Sequence, residues 1–163
     1  MTSELVTNGV QHFKFEEDFV EDNVRCIPMI VRFKLDAVGI KLKLAEWSRL
    51  QKEERAMLAD EPCSTSIEKA MYRNKSQSLV RFRTGGEVTN LIIDSEPAWA
   101  DLKRIEPALQ EKAKEYNWHI SINQWKGLTN LQRFALLKLF RPGHENKNFP
   151  KAMREFGLAV NGE

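Results

Sequence analysis

One six-residue turn concentrates the side chains that could do chemistry. Residues 141–146 read RPGHEN, and the candidate functional residues there are Arg141, Gly143, His144, Glu145 and Asn146. A turn that carries a guanidinium, an imidazole, a carboxylate and an amide could present a binding surface. The alternative is structural, because Arg141 and His144 can donate to the last free carbonyls of the apolar helix before them. We favour the structural role.

Two cysteines are the other candidates. Cys26 and Cys63 are 37 residues apart, with no C-x-x-C motif and no neighbouring histidine, so neither a zinc site nor a disulfide framework is indicated. Each precedes a predicted helix, whose positive end would favour a reactive thiolate. Free cysteines are nevertheless among the most buried residues. We therefore predict reduced and inert thiols.

The standard signatures of enzymes and cofactor sites are absent from the sequence, which lacks G-x-S-x-G, P-loop, G-x-G-x-x-G and H-E-x-x-H motifs. We predict a protein that is not an enzyme, with no catalytic residues, no metal and no cofactor. The alternative is a small cofactor-handling enzyme or a redox-sensitive protein. That alternative requires Cys26, Cys63 or His144 to converge in a pocket.

The charge balance argues against a polyanionic partner. The 163 residues contain 25 Lys and Arg against 23 Asp and Glu, which leaves a net charge of +2. One local exception is the run 69–83, where Lys69, Arg73, Lys75, Arg81 and Arg83 have no acid between them. A regulator that binds nucleic acid is therefore a second alternative, and it needs these bases on one exposed helix face.

Apolar spacing predicts an all-α fold of about seven helices. A disordered tail over 1–12 precedes a single domain over 13–160. Expected helices are 27–38, a segment from Trp47 to Pro62, 66–83 after the capping box Thr65–Glu68, and one from Pro107. Two more follow capping boxes at Ser121 and Thr129, the second running over 130–140, and Asn148 caps the last. Residues 88–92 fit a helix or a strand, and we favour the helix.

The spacing also fits an internal repeat, and the alternative is chance, because Trp and Leu at helical spacing are common core residues. An offset of 78 aligns seven positions of similar type: Leu42, Leu44, Trp47, Leu50, Glu54, Arg55 and Leu58 with Ile120, Ile122, Trp125, Leu128, Gln132, Arg133 and Leu136. The half-repeats span about 27–62 and 106–142. We expect their alternating segments, 40–44 and 118–122, to pair as a two-stranded ribbon. The layout is similar to paired EF-hands, but the loops lack the oxygen ligands that calcium needs.

Three longer segments resemble the nitrate reductase associated protein family, which is found chiefly in cyanobacteria. They are FKFEEDFVEDNVRCIPM from Phe13, PCSTSIEKAMYR from Pro62, and QWKGLTNLQRFALLKLFRPGHEN from Gln124. The segments RCIPM and RPGHEN are the most distinctive, and the resemblance covers about residues 13–158.

The resemblance implies a role in obtaining active assimilatory nitrate reductase, a cytosolic enzyme with a molybdenum cofactor and an iron–sulfur cluster. It carries no catalytic residues over to this chain. We therefore expect a chaperone-like maturation or stabilisation factor that binds the reductase. Because the N-terminal residues lack a basic segment followed by an apolar one, we expect a cytoplasmic protein.

Overall fold

The computed structural model describes residues 4–6, 11–17, 26–142 and 147–159. These residues confirm the mainly helical fold and contain eight α-helices and four short strands. The helices are α1 (Met29–Val38), α2 (Leu44–Arg49), α3 (Lys52–Asp60), α4 (Ser66–Thr84), α5 (Pro107–Lys114), α6 (Ile122–Gly127), α7 (Asn130–Leu139) and α8 (Phe149–Glu155). The strands are β1 (Glu4–Val6), β2 (Gln11–Phe13), β3 (Ile40–Lys41) and β4 (Thr89–Asn90).

The chain forms two compact units, one spanning Glu4–Asp94 and one beginning at Ser95. Each unit contains one of the half-repeats that the sequence predicts. The single domain over 13–160 stays a prediction.

The first unit begins with a paired segment in place of the predicted loose tail. β1 and β2 pair in antiparallel fashion, with Leu5 opposite His12. The Glu16 carboxylate then accepts from the main-chain N–H of Phe13 at 3.0 Å and from that of Met29 at 2.8 Å. A buried carboxylate therefore ties β2 to the start of α1, where free amide groups favour negative charge.

Helix α1 begins at Met29, two residues later than predicted, and ends at Val38, as predicted. Gly39 has a φ of 76°, in the left-handed region that glycine adopts without strain. The expected helix from Trp47 to Pro62 is wrong as one element, because Leu50 and Gln51 are extended and separate α2 from α3. Glu54 accepts from the Gln51 N–H at 2.8 Å and so starts a new helix.

Helix α4 confirms the predicted capping box. The Glu68 N–H donates to the Thr65 hydroxyl at 3.1 Å, and the Thr65 N–H donates to Glu68 at 3.0 Å. Tyr72 lies on its buried face, and the Tyr72 hydroxyl donates to the Leu58 carbonyl at 2.7 Å. Gly85 ends the helix in the left-handed region.

The predicted ribbon between 40–44 and 118–122 is wrong, although a two-stranded antiparallel sheet is present. Ile40 and Lys41 pair instead with Asn90 and Thr89. The helix that we favoured over 88–92 is therefore also wrong. In the second unit, the side chain of Gln110 bonds both main-chain groups of Ile120, with Nε2 donating to the oxygen at 2.7 Å and Oε1 accepting at 3.1 Å. The side-chain amide of Gln110 thus makes the two hydrogen bonds with the Ile120 main chain that a partner strand would have made.

The second unit repeats the local structure of the first at the predicted offset. Helices α6 and α7 begin 78 residues after α2 and α3, and the linking residues Leu50 and Leu128 have ψ values of 154° and 156°. Helix α7 is buried on nearly every side, as its composition predicts.

The end of this unit confirms one expectation and corrects another. Asn148 precedes α8, but its side chain makes no capping hydrogen bond. Gly157, with a φ of 76°, follows the helix, and glycine adopts this left-handed conformation without strain.

Candidate partner-binding surface

The structure describes only part of the RPGHEN turn, and the site predicted there stays a prediction. Gly143, His144, Glu145 and Asn146 lie outside the described residues. Arg141 is exposed, and its Nε donates to the Leu137 carbonyl at 3.2 Å. Arg141 therefore bonds a main-chain carbonyl in the last turn of α7, which fits the structural role that we favour for this residue.

Both cysteines are free thiols, and each is half-buried. The Cys63 sulfur lies 3.7 Å from the Lys34 carbonyl oxygen. Burial raises the pKa of the Cys63 thiol, and the positive charges of Lys34 and Lys69 offset this only in part. The raised pKa of Cys63 fits the inert thiol that we predict and gives no support to the alternative of activation by the following helix.

The bases of 69–83 do not form one exposed face. The Arg73 guanidinium donates to the Val38 carbonyl at 2.6 Å. The other contacts are ion pairs: Lys75–Glu61 at 3.0 Å, Arg81–Glu87 at 2.8 Å and Arg83–Glu54 at 2.7 Å. These partners lie on different sides of α4, and they already pair with the bases. The helix therefore lacks the continuous cationic face that phosphates need.

The repeated arginine is a structural centre in the second unit. Arg133 is only 5% exposed, and its Nη1 donates to the carbonyls of Trp125 and Leu128 at 3.1 and 2.5 Å. Its Nε donates to the Trp99 carbonyl at 2.7 Å, and the Trp125 indole N–H donates to the Asp101 carbonyl at 2.9 Å. Burial lowers the pKa of Arg133. The carbonyl oxygens of Trp99, Trp125 and Leu128 thus accept from the guanidinium donors that an anionic ligand would have to contact.

The first unit contains the same pair with fewer partners. The Arg55 Nη1 donates to the Leu50 carbonyl at 2.5 Å, as in the other copy. The Trp47 indole N–H and the Arg55 Nε, however, are buried and have no acceptor among the described residues. They are the equivalents of the two donors that Asp101 and Trp99 engage in the second unit.

Metal and ligand sites are not evident in the described part of the chain. Within it, no three His, Cys, Asp or Glu side chains are placed to hold a metal ion. A cleft of about 480 Å³ lies in the second unit, with Glu96, Asp101, Arg104 and Glu106 among the residues that line it. Neither cysteine lines this cleft, so the convergence that the cofactor-handling alternative requires of Cys26 or Cys63 is not found there.

Two groups of exposed apolar side chains stand out in the first unit. The α4 stripe consists of Ile67, Met71 and Phe82, which are four and eleven residues apart and so lie on one side of the helix. Ile67 is 73% exposed and Phe82 is 75% exposed. The apolar edge consists of Leu91, Ile92 and Ile93, directly after β4, and Ile92 is 98% exposed. Phe82 is eleven residues beyond Met71, so the stripe is not continuous, but exposed apolar side chains of this size are candidates for contact with a partner.

The apolar edge is held in a defined position. The Leu91 N–H donates to the Gly39 carbonyl at 2.8 Å. A Cβ at position 39 would lie 3.0 Å from the Leu91 carbonyl oxygen and 3.1 Å from Cγ1 of Ile93, so only glycine allows this approach. The sequence signal was present in the uncharged run Leu91–Ile93, but its spacing was compatible with a helix.

Comparison with known proteins gives one match. The model of a family described as conserved nitrate reductase-associated protein matches residues 12–156. No curated protein and no solved structure matches the chain. None of the described helices has the length and hydropathy needed to cross a bilayer.

Proposed function

This chain belongs to the conserved nitrate reductase-associated protein family, and we propose that it is a cytoplasmic accessory factor that binds assimilatory nitrate reductase. In this proposal the protein assists maturation or stabilises the enzyme through contact. The family description names an association with the reductase and not a reaction.

The exposed apolar surface of the first unit carries the proposal. Ile67, Phe82 and Ile92 each leave most of their side-chain surface in water, at a free-energy cost of roughly 1.5–3 kcal/mol per side chain relative to full burial. A protein partner that covers these residues would recover that energy. The surface contains no charged network that would select a nucleic acid, because the neighbouring bases of α4 are engaged within the unit.

Such contacts suit an enzyme that must acquire a molybdenum cofactor and an iron–sulfur cluster. Before loading, a metalloenzyme exposes apolar surface and unfilled cavities, and a binding protein can protect them from aggregation. We assign this protective role to the α4 stripe and the apolar edge together.

Co-purification of the reductase with tagged full-length variants tests the proposal. We expect the reductase to co-purify with the unaltered chain and with a Leu102→Lys control, because Leu102 is an exposed apolar residue of the second unit. A Phe82→Lys/Ile92→Lys double variant should recover at least tenfold less. Equal recovery by all three would remove this surface from the proposal.

A deletion strain separates the possible roles. Loss of nitrate reductase activity with normal polypeptide levels but missing molybdenum or iron would indicate maturation. Loss of the polypeptide itself would indicate stabilisation. If activity survives the deletion and neither the apo nor the mature enzyme co-purifies, the accessory function is wrong.

A further inference from the structure

Three exposed bases lie along the last helix of the second unit. Lys147, Lys151 and Arg154 are all exposed, and their spacing of four and three residues places them on one side of α8 and of the helical turn that leads into it. They span about 10 Å of the helix axis, at 1.5 Å per residue. The opposite side of the helix is buried, with Phe149 and Met153 both 0% exposed. We call the three bases the basic face of α8.

The basic face differs from α4 in that its charges are not engaged within the unit. Three bases of α4 form ion pairs, whereas no ion pair or side-chain hydrogen bond joins Lys147, Lys151 or Arg154 to another described residue. Residues 147–155 contain a single acid, Glu155, and it forms no ion pair with Lys151. Positive charge that the unit leaves unneutralised attracts an anionic partner.

Aromatic rings hold Arg154 in position. Its guanidinium lies 5.5 Å from the centre of the Trp118 ring, which is a cation–π contact. Trp118 is 6% exposed and stacks on Tyr116, with ring centres 5.0 Å apart and planes inclined by 14°. The Tyr116 ring in turn lies 6.0 Å from the ring of Phe149, at the start of α8. Contacts at both ends of α8 therefore attach it to residues 116–118.

The contact with Trp118 leaves Arg154 able to bind an anion. The N–H donors of its guanidinium have no acceptor among the described residues. A guanidinium presents these donors as a planar fork that matches the two oxygens of a carboxylate. Because the aromatic contact already restricts Arg154, less conformational freedom is lost when such a pair forms.

The charge and the size of the basic face indicate the class of partner. A second copy of this chain would bring two basic faces together, and like charges oppose that contact. Affinity for nucleic acid grows with the number of phosphates contacted, and three bases on a chain of net charge +2 supply few contacts. A short acidic segment of a protein can pair with all three bases within the same span of about 10 Å.

We infer that the basic face of α8 binds an acidic segment of a partner protein, whose Asp or Glu residues are spaced to reach all three bases. One carboxylate pairs with the Arg154 guanidinium through two hydrogen bonds, and others pair with Lys147 and Lys151. The inference rests on the proposed function for the identity of that partner, which is the reductase. It gives the second unit a binding role of its own.

Charge reversal on the basic face tests the inference. Binding of purified reductase to the full-length variants would be measured by surface plasmon resonance, with circular dichroism to confirm folding. We expect Lys151→Glu/Arg154→Glu to raise the Kd at least tenfold. The matched control is Lys103→Glu/Lys126→Glu, which makes the same change in net charge at two exposed lysines of the same unit. Its Kd should change less than threefold.

A conservative variant separates the bidentate pair from net charge. Arg154→Lys keeps the positive charge but loses the planar fork and the stacking on indole. We expect its Kd to rise at least threefold. An unchanged Kd for Arg154→Lys would overturn the bidentate pair, and equal Kd values for the unaltered chain and Lys151→Glu/Arg154→Glu would overturn the whole inference.

Zero-length cross-linking provides a measurement that needs no variant. A carbodiimide joins a lysine amine to a carboxylate that pairs with it directly. In the complex, mass spectrometry should find Lys147 or Lys151 joined to Asp or Glu residues of the reductase. Cross-links confined to other lysines, such as Lys103 and Lys126, would overturn the inference and leave the proposed function intact. If the unaltered chain does not bind the reductase, the proposed function fails and this inference fails with it.

Binding of nucleic acid is a further outcome of the same comparison. The fluorescence anisotropy of labelled single-stranded and double-stranded oligonucleotides should respond equally weakly to the unaltered chain and to Lys151→Glu/Arg154→Glu. An oligonucleotide that binds the unaltered chain but not this variant would show that phosphates occupy the basic face, and it would overturn the acidic protein partner.

Discussion

Trp47 and Trp125 hold equivalent positions in the repeat and differ in one hydrogen bond. Replacing either with phenylalanine removes a similar volume from a buried site, so both variants should lose stability. Trp125→Phe also removes the bond from the indole N–H to Asp101, which is 2.9 Å long. We expect Trp125→Phe to lose about 1 kcal/mol more than Trp47→Phe in the free energy of unfolding.

Urea denaturation followed by circular dichroism measures this difference. Each variant is the control for the other, because the ring contraction is the same. Equal losses would show that the Trp47 N–H has an acceptor in solution.

Cys63 should react slowly. Because burial raises the pKa of its thiol, the thiolate fraction near neutral pH is below that of an exposed cysteine. We expect its alkylation by iodoacetamide, mapped by mass spectrometry, to be at least fivefold slower than that of glutathione at pH 7.5. Reaction as fast as glutathione would restore the redox-sensitive alternative.

The residue types predicted structure better than they predicted function. The arginine and tryptophan that the repeat aligns are structural, since Arg133 donates to the carbonyls of Trp99 and Trp125. The apolar edge was missed because a run of three apolar residues fits either a helix or a strand. The conformation of the apolar edge is set by the pairing of β4 with β3, which lies about fifty residues earlier in the chain. Local spacing does not show this pairing.

At the level of elements, Glu54 links two helices of the first unit. It accepts from the Gln51 N–H at the start of α3 and pairs with Arg83 of α4 at 2.7 Å. The Arg83 guanidinium lowers the pKa of Glu54, despite the opposing effect of burial. A lowered carboxyl pKa adds stability above the ordinary value for glutamate, and this stability is lost as the pH falls through the lowered value.

Glu54→Gln should therefore be less stable than the unaltered chain at pH 7, by about 1 kcal/mol. The difference should shrink as the pH falls below the ordinary pKa of glutamate and through the lowered pKa of Glu54. Helix α3 should still form, since Gln132 fills the same position in α7 and accepts from the Thr129 N–H at 2.9 Å.

Thermal unfolding between pH 3 and pH 7 measures this effect. Glu53→Gln is the matched control, because it removes a neighbouring exposed charge from the same helix. A stability difference for Glu54→Gln that does not change with pH would contradict the ion pair as its cause.

Helix ends were the most predictable elements, because a capping box acts between residues three positions apart. The boxes at Thr65, Ser121 and Thr129 are all confirmed. The ribbon could not be predicted, because its outcome depends on Gln110, whose side chain satisfies Ile120 from ten residues away. The break at Leu50 was missed for a related reason, since apolar spacing continues across it.

For the whole molecule, the exposed edge has a cost when no partner is present. An unprotected apolar strand promotes aggregation at high concentration. We expect Ile92→Lys to remain monodisperse in light scattering at a concentration at least twofold higher than the unaltered chain tolerates. Leu102→Lys, in the other unit, is the control and should behave like the unaltered chain.

The two half-repeats share their local structure but differ in whether the equivalent buried donors have acceptors. The copy around Trp125 and Arg133 has its donors engaged, whereas the copy around Trp47 and Arg55 lies in the unit with the exposed edge. If the predicted duplication produced the two halves, one copy could keep the original scaffold while the other evolved a binding surface. A protein designed from two copies of the second half-repeat, 106–142, would then keep the local structure but lack the partner-binding surface of the first unit.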